Sequence, residues 1–309
     1  MGKKILVTGG AGFIGSNLSA SFLKAGHVVE IVDDLSTGSV ENIPEGSKFH
    51  KLDIRSEEIE EVFENFKPDV LCHHAAAIDV RKSVENPSCD ADINIFGLIN
   101  LMEIGKKHGL KKVIFASSGG AIYGEQEYFP ACEKHALNPI SPYGVSKLSS
   151  EKYLNYYKAQ YGIDYVALRY ANVYGPKQNH LGEAGVVAIF MNKLLRDEEC
   201  IIFGDGLQTR DYVSVMDVCK ANLKALNANV NGVFNIATSK ETNVKKLHEE
   251  ISKILDKNIT PKFEEARMGE QKRSVLSYAL AKEIFEWEPE YTLTEGLEET
   301  AEYFRSIHA

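Results

Sequence analysis

Apolar and polar positions in the first half of the chain switch repeatedly between two periods. KKILVTG is apolar and β-branched, and glycines follow it directly. Such a run reads as a strand buried on both faces. SNLSASFLKAG then has helical spacing, HVVEIVD reads as a second strand and SKFHKLD as a third. SEEIEEVFENF is an acidic amphipathic helix, PDVLCHHA a fourth strand, and DADINIFGLINLMEIGKKHG one long helix. KKVIFASS is a fifth strand, SPYGVSKLSSEKYLNYYKAQYG a helix, and IDYVALRYANV a further strand. In the last of these helices Ser141 suits the cap and Pro142 the first turn. Strands alternating with helices predict an α/β fold with a doubly wound parallel sheet.

The rhythm changes after about Gly175. GPKQNHLGEAG is loop-like, VVAIFMNKLLR helical, CIIFGDG a short strand and turn, and VMDVCKANLKALN a helix. GVFNIA is a strand, ITPKFEE holds a short one, and most of the remainder to the C-terminus is helical. The pattern predicts a nucleotide-binding domain over residues 1–175 and a smaller α/β substrate domain over 176–309. Some of the later segments are expected to return to the first domain.

The turn after the first strand carries the first chemistry. In TGGAGFIGS, Gly9, Gly12 and Gly15 satisfy GxxGxxG, and Gly10, Gly12 and Gly15 satisfy GxGxxG. Glycines between a strand and a helix permit a tight turn and a close approach of backbone to a pyrophosphate. The helix N-terminus adds N–H donors and a favourable dipole. Asp33 ends the second strand about 20 residues on, where an acid accepts hydrogen bonds from ribose hydroxyls and repels a 2′-phosphate. With no arginine following it, the expected cofactor is NAD rather than NADP. Asp34 beside it reads as a solvent-facing turn acid.

Tyr143 and Lys147 stand four residues apart, on one face of the helix that starts at Pro142. Such a pair is either an ordinary surface pair or a phenol whose proton an ammonium controls, and the spacing leaves both open. Composition narrows the classes. A net charge of −9 over 309 residues argues against a nucleic-acid surface. An anionic ligand would need local arginines or helix N-termini. The 5 cysteines are scattered without a metal-ligand spacing, which fits reduced thiols and a cytoplasmic setting, and no metal is expected. The N-terminus runs straight into a strand without a secretory leader, and no segment approaches the roughly 20 apolar residues of a membrane helix.

TGGAGFIG, VDDLSTG, HHAAA, ASSGGAIYG, SPYGVSK and LRYANVYGP occur in this order, and FGDGLQTRDYVSVMDV and ARMGEQKRS continue toward the C-terminus. Over nearly its whole length the chain resembles the extended short-chain dehydrogenases/reductases, Rossmann-type enzymes acting on nucleotide-linked sugars. The resemblance implies that Tyr143 is the acid/base for the sugar 4-hydroxyl, that Lys147 and the positive nicotinamide together lower the phenol pKa, and that Lys147 binds the nicotinamide ribose. Ser118 would bond the same substrate oxygen, with Ser117 a neighbouring candidate. It implies a cofactor site comprising Gly9, Gly12, Phe13, Ile14, Gly15, Asp33, Asp34, Ser36, Thr37, Gly38, Asp53, Ile54, Ala75, Ala76, Asn94 and Tyr170, besides Tyr143 and Lys147. For the substrate it implies Asn172, Arg210, Arg267 and Arg273 at a diphosphate and Glu270 at the uridine ribose. Ser274 falls where residue size sets acceptance of 2-acetamido sugars.

The expected activity is NAD-dependent 4-epimerisation of a UDP-hexose through a transient 4-keto sugar. A 4,6-dehydratase is disfavoured because Gly119 and Gly120 stand where such enzymes carry an acidic pair. A UDP-glucuronate decarboxylase and a non-catalytic NAD-binding regulator remain as alternatives. The helix around INIFGLINLMEI is apolar nearly all round, which predicts a homodimer, the arrangement that the resemblance also implies.

Overall fold

In the computed structural model, residues 2–180, 185–266 and 271–308 are described. Six strands open the chain: β1 (Lys4–Thr8), β2 (Val28–Asp33), β3 (Lys48–Lys51), β4 (Val70–His73), β5 (Lys112–Ser118) and β6 (Asp164–Tyr170). They are followed by β7 (Asn172–Tyr174), β8 (Ile201–Phe203), β9 (Thr209–Ser214) and β10 (Gly232–Ile236), then β11 (Glu241–Asn243), β12 (Lys262–Glu264) and β13 (Arg273–Ser274). Between them lie α1 (Phe13–Lys24), α2 (Ile59–Phe66), α3 (Val80–Glu85), α4 (Pro87–Ala91), α5 (Gly97–Lys107), α6 (Gly119–Ile122) and α7 (Pro142–Tyr161). The remaining helices are α8 (Val186–Leu195), α9 (Val215–Asn227), α10 (Val244–Leu255), α11 (Ala279–Phe285) and α12 (Leu293–His308).

Two compact units divide the chain. One comprises Met1–Ile122, Leu137–Arg169 and Cys219–Phe234, the other Tyr123–Ala136, Tyr170–Val218 and Asn235–Ala309. The seven-stranded sheet runs β10-β6-β5-β4-β1-β2-β3. β1 pairs in parallel with β2 on one side and β4 on the other, with Ile5 opposite Val29 and Val70. Strand order reverses between β1 and β4, and in open α/β sheets ligands bind outside the carboxyl ends of the strands at such a switch point. Ile5, Leu6 and Val7 are fully buried because helices cover both faces, which is why the run carries no alternation.

The cap residues set α7. Ser141 Oγ accepts from Gly144 N at 3.2 Å, Pro142 takes the first turn, and Gly162 ends the helix in the left-handed region at φ 74°. The expected single helix over 90–109 is instead broken. α4 passes into a π-turn over Asp92–Phe96 before α5 begins. Within that turn Asn94 lies buried, its side chain bonded to both the N–H (2.9 Å) and the C=O (3.0 Å) of Ala77. Those bonds hold the wide turn in place of continuous α-helix.

In the second unit α8, α10 and α12 form a core of Phe190, Met191, Leu194, Leu247, Ile251, Leu297 and Phe304. β9 pairs antiparallel with β11 and parallel with β13 and β7. The single tryptophan, Trp287, is buried and donates from Nε1 to the Asp217 carbonyl at 3.0 Å.

Candidate active site

The glycine loop is shaped by close backbone approach. Gly9 has φ 70°, and a Cβ there would meet Ala75 N at 2.6 Å, so loop and β4 end can touch only if the residue is glycine. A Cβ on Gly15 would meet Gly9 O at 2.1 Å. Gly12 caps α1 without any side-chain bond, and the first turn, with Phe13 and Ile14, has no acidic residue. Its amides and dipole therefore face a position suited to an anion.

Asp33 closes the loop from β2. Its Oδ2 accepts from Ala11 N at 3.0 Å and its Oδ1 from Leu35 N at 2.8 Å, while burial raises its pKa. Each oxygen keeps a lone pair for a further donor. Asp34 is exposed and accepts from Ser36 N at 2.8 Å. Ser36 and Thr37 are also exposed, and Gly38 lies against Ala11, where a Cβ would come within 2.9 Å. Asp53 is held below the usual carboxylate range chiefly by its bonds to Arg55. The Ile54 side chain is 5% exposed and packs in the core against Gly97, leaving only its main chain for a ligand. Ala75 and Ala76 are partly buried after β4, and Tyr170, ending β6, is buried.

On α7, Lys147 is buried and its Nζ donates to the Ala116 carbonyl at 3.0 Å. The ammonium sits 4.8 Å from the Phe115 ring centroid and 5.7 Å from that of Tyr143. Burial lowers its pKa to about 8, against the opposing attraction of Asp90 and Glu151. At neutral pH it is still an ammonium. The Ser118 hydroxyl lies near enough to the Tyr143 phenol to favour its ionised form. Ser117 is committed elsewhere: its Oγ donates to Glu151 at 2.7 Å, and Glu151 also takes two bonds from Arg169 in a fully buried pair. The one-residue ambiguity between the two serines is thereby separated by partner.

The phenol differs from expectation. Burial pushes Tyr143 up to about 12, with the Ser118 hydroxyl opposing and the Asp90 charge adding to the rise. Loss of water from around the ring outweighs the effects expected to lower it. Asp90, Glu151 and Arg169 had not been singled out in the sequence. Their signals were an acid ahead of an apolar helix, an acid one turn beyond Lys147, and an arginine inside the apolar strand YVALRY.

In the second unit, Arg210 on β9 donates from a terminal nitrogen to the Thr209 carbonyl at 2.8 Å. Ser274 lies beside it in the parallel register of β13, buried at 4% exposure. Asn172 on β7 is exposed. Arg273 is engaged: it pairs with both Glu241 oxygens at 2.6 and 2.7 Å and lies 3.8 Å over the Phe129 ring. Arg267 and Glu270 lie outside the described residues.

The profile of the NAD dependent epimerase/dehydratase family matches residues 5–237. The UDP-glucose 4-epimerase of Mycolicibacterium smegmatis is 41% identical over 309 aligned residues, covering 98% of this chain and 99% of that protein. The crystal structure of UDP-glucose 4-epimerase with UDP-glucose from Thermotoga maritima superposes with a TM-score of 0.97 at 47% identity. The match covers 99% of this chain and 100% of that one. The Thermus thermophilus UDP-glucose 4-epimerase complex with NAD gives 0.93 at 39% identity, over 98% and 99% of the two chains.

Proposed function

The chain belongs to the NAD dependent epimerase/dehydratase family, and from that premise we propose that it interconverts the C4 epimers of UDP-hexoses. The observation that carries the reading is the buried Lys147 ammonium one turn along α7 from Tyr143, 5.7 Å from the centroid of its ring. Identity of 41–47% to UDP-glucose 4-epimerases over essentially the whole chain supports it.

The glycine cradle and the uncapped α1 N-terminus fit a dinucleotide pyrophosphate, and Asp33 fits a ribose diol. Gly9, Gly12, Gly15 and Asp33 would hold NAD, with the 36–38 loop, Ala75, Ala76 and Asn94 around it. When bound, NAD supplies a reversible hydride acceptor for sugar C4. Tyr143 Oη takes the 4-hydroxyl proton and later returns it. Ser118 Oγ bonds the same oxygen and holds it in line. The Lys147 ammonium favours the phenolate, opposing the burial that raises the phenol. Asn172, Arg210, Arg267 and Arg273 are assigned to the diphosphate and Glu270 to the uridine ribose. Arg273 must exchange Glu241 for that role. Ser274 leaves room that a tyrosine would fill, so UDP-N-acetylglucosamine is proposed as a second substrate.

Assembly as a homodimer is proposed through α7 and the π-turn that precedes α5. Phe96 of that turn and Val145, Tyr153, Tyr156 and Tyr161 of α7 are all exposed, with Phe96 at 61%. A patch of this kind marks an interaction surface. A cytoplasmic setting is proposed from the 5 free cysteines. None of the helices among the described residues is long and apolar enough to cross a membrane.

The experiment is a panel of UDP-sugars analysed for product mass and C4 configuration. Isomers of unchanged mass are expected from UDP-glucose and UDP-galactose. Loss of water or of carbon dioxide would overturn the reading in favour of dehydration or decarboxylation.

A further inference from the structure

Asp90 is a carboxylate with 3% exposure, and among the described residues both its bonds are to neutral side chains. Its Oδ1 accepts from Asn94 Nδ2 at 3.0 Å and its Oδ2 from the Ser146 hydroxyl. Asn94 in turn holds both main-chain groups of Ala77. Ser146 lies on α7 between Tyr143 and Lys147. A second tie runs from Ser150 Oγ to Asn94 O at 3.1 Å. Asp90 thus joins the loop after β4 to the helix that carries the tyrosine and lysine.

We propose that Asp90 is a positioning residue for the Tyr143–Lys147 pair: through Asn94 and Ser146 it fixes α7 against the 75–77 loop, and it stands a buried carboxylate one hydrogen bond from the helix that carries them. The inference rests on the catalytic reading of Tyr143 given above.

Both oxygens of Asp90 are satisfied by neutral partners, Asn94 and Ser146. An asparagine of the same shape could satisfy both, accepting from Asn94 and donating to Ser146. What asparagine would lose is the charge. That charge raises the pKa of Tyr143 and also raises that of Lys147. The other ionisable neighbours do not replace it. Glu151, on the same helix, adds to the rise at Lys147 only and is itself ion-paired with Arg169 of β6. His73, ending β4, and His74 just after it are held neutral by burial. Arg81, Lys82 and Glu85 on α3 are exposed, and the exposed Asp92 in the π-turn is paired with Arg55. From β5 the pair meets a ring, a carbonyl and the Ser118 hydroxyl.

The test is the pH profile of kcat/KM for UDP-glucose in the holoenzyme. Its two limbs report the apparent pKa values of the Tyr143–Lys147 pair titrating together. In Asp90→Asn each group loses a nearby negative charge, so both limbs move to lower pH, by on the order of half to one unit. Asp90→Ser removes the same charge without an amide to misorient, and is expected to move both limbs the same way should the asparagine variant not fold. Ser146→Ala keeps the charge and cuts the tie, so kcat falls while both limbs stay in place. Limbs that coincide with wild type in both Asp90 variants, or that move equally in Ser146→Ala, overturn the proposal. Absence of UDP-glucose turnover in wild type, or full turnover in Tyr143→Phe, overturns the catalytic reading beneath it instead.

Discussion

Lys147→Met should make the cofactor-free protein more stable at pH 7 while abolishing turnover. Burial depresses the lysine from its ordinary 10.5 to about 8. Keeping it charged in the folded state therefore costs about 3 kcal/mol at neutral pH. Methionine has a stem of similar length to lie between the Phe115 and Tyr143 rings, and carries no charge. It gives up the bond to the Ala116 carbonyl, a loss of about 1–2 kcal/mol. The net gain is about 1–2 kcal/mol. The pH dependence follows from the sign. Below pH 8 both folded and unfolded wild type carry the charge, and the penalty is complete. Between pH 8 and 10.5 the folded lysine is already neutral, and the penalty fades as pH rises. Urea midpoints of the stripped proteins at pH 7 and pH 9.5 measure it. A variant less stable than wild type at pH 7, or an advantage that does not shrink at pH 9.5, would refute the reasoning.

Stability should also fall on the acid side. His73 and His74 are held neutral in the fold, His74 down to about 3, whereas unfolded they titrate near 6.5. The unfolded chain then binds more protons below 6.5, and stability drops by about 1.4 kcal/mol per pH unit per histidine on going down toward pH 3. Urea midpoints at pH 7, 6 and 5 should slope accordingly, and His74→Gln should flatten the slope. Cofactor choice should follow Asp33: NAD should bind more tightly than NADP in titrations of stripped protein, and equal affinity would remove that role from Asp33. Ser118→Ala should lower kcat about tenfold to a hundredfold. Ser117→Ala should chiefly lower the unfolding midpoint by freeing Glu151, and the reverse pattern would exchange the two serines.

Much of the sheet was legible because its strands are buried on both faces and so appear as unbroken apolar runs. The glycine loop, Asp33 and the caps of α7 were legible because each is a local backbone requirement. The small sheet of the second unit was not. β7, β11 and β13 span two or three residues, too few for any period, and β9 mixes charged and apolar positions in TRDYVS. The π-turn was hidden because the side-chain ties that hold Asn94 reach back to Ala77. The same holds for the Glu151–Arg169–Ser117 group and for Asp90, whose partners come together only through the fold. The rise that burial gives the Tyr143 pKa was not legible, because a motif gives the neighbours of a group and says little about how dry it is.

The central claim is that hydride leaves C4 of a UDP-hexose and returns to the same carbon, with Tyr143 moving the proton. UDP-glucose deuterated at C4, incubated with the purified holoenzyme and no added reductant, measures this directly. The account predicts UDP-galactose of unchanged mass with deuterium retained at C4, and Tyr143→Phe slowed on the order of a hundredfold or more. Deuterium lost to solvent, a product of lower mass, or undiminished turnover in the phenylalanine variant would contradict it.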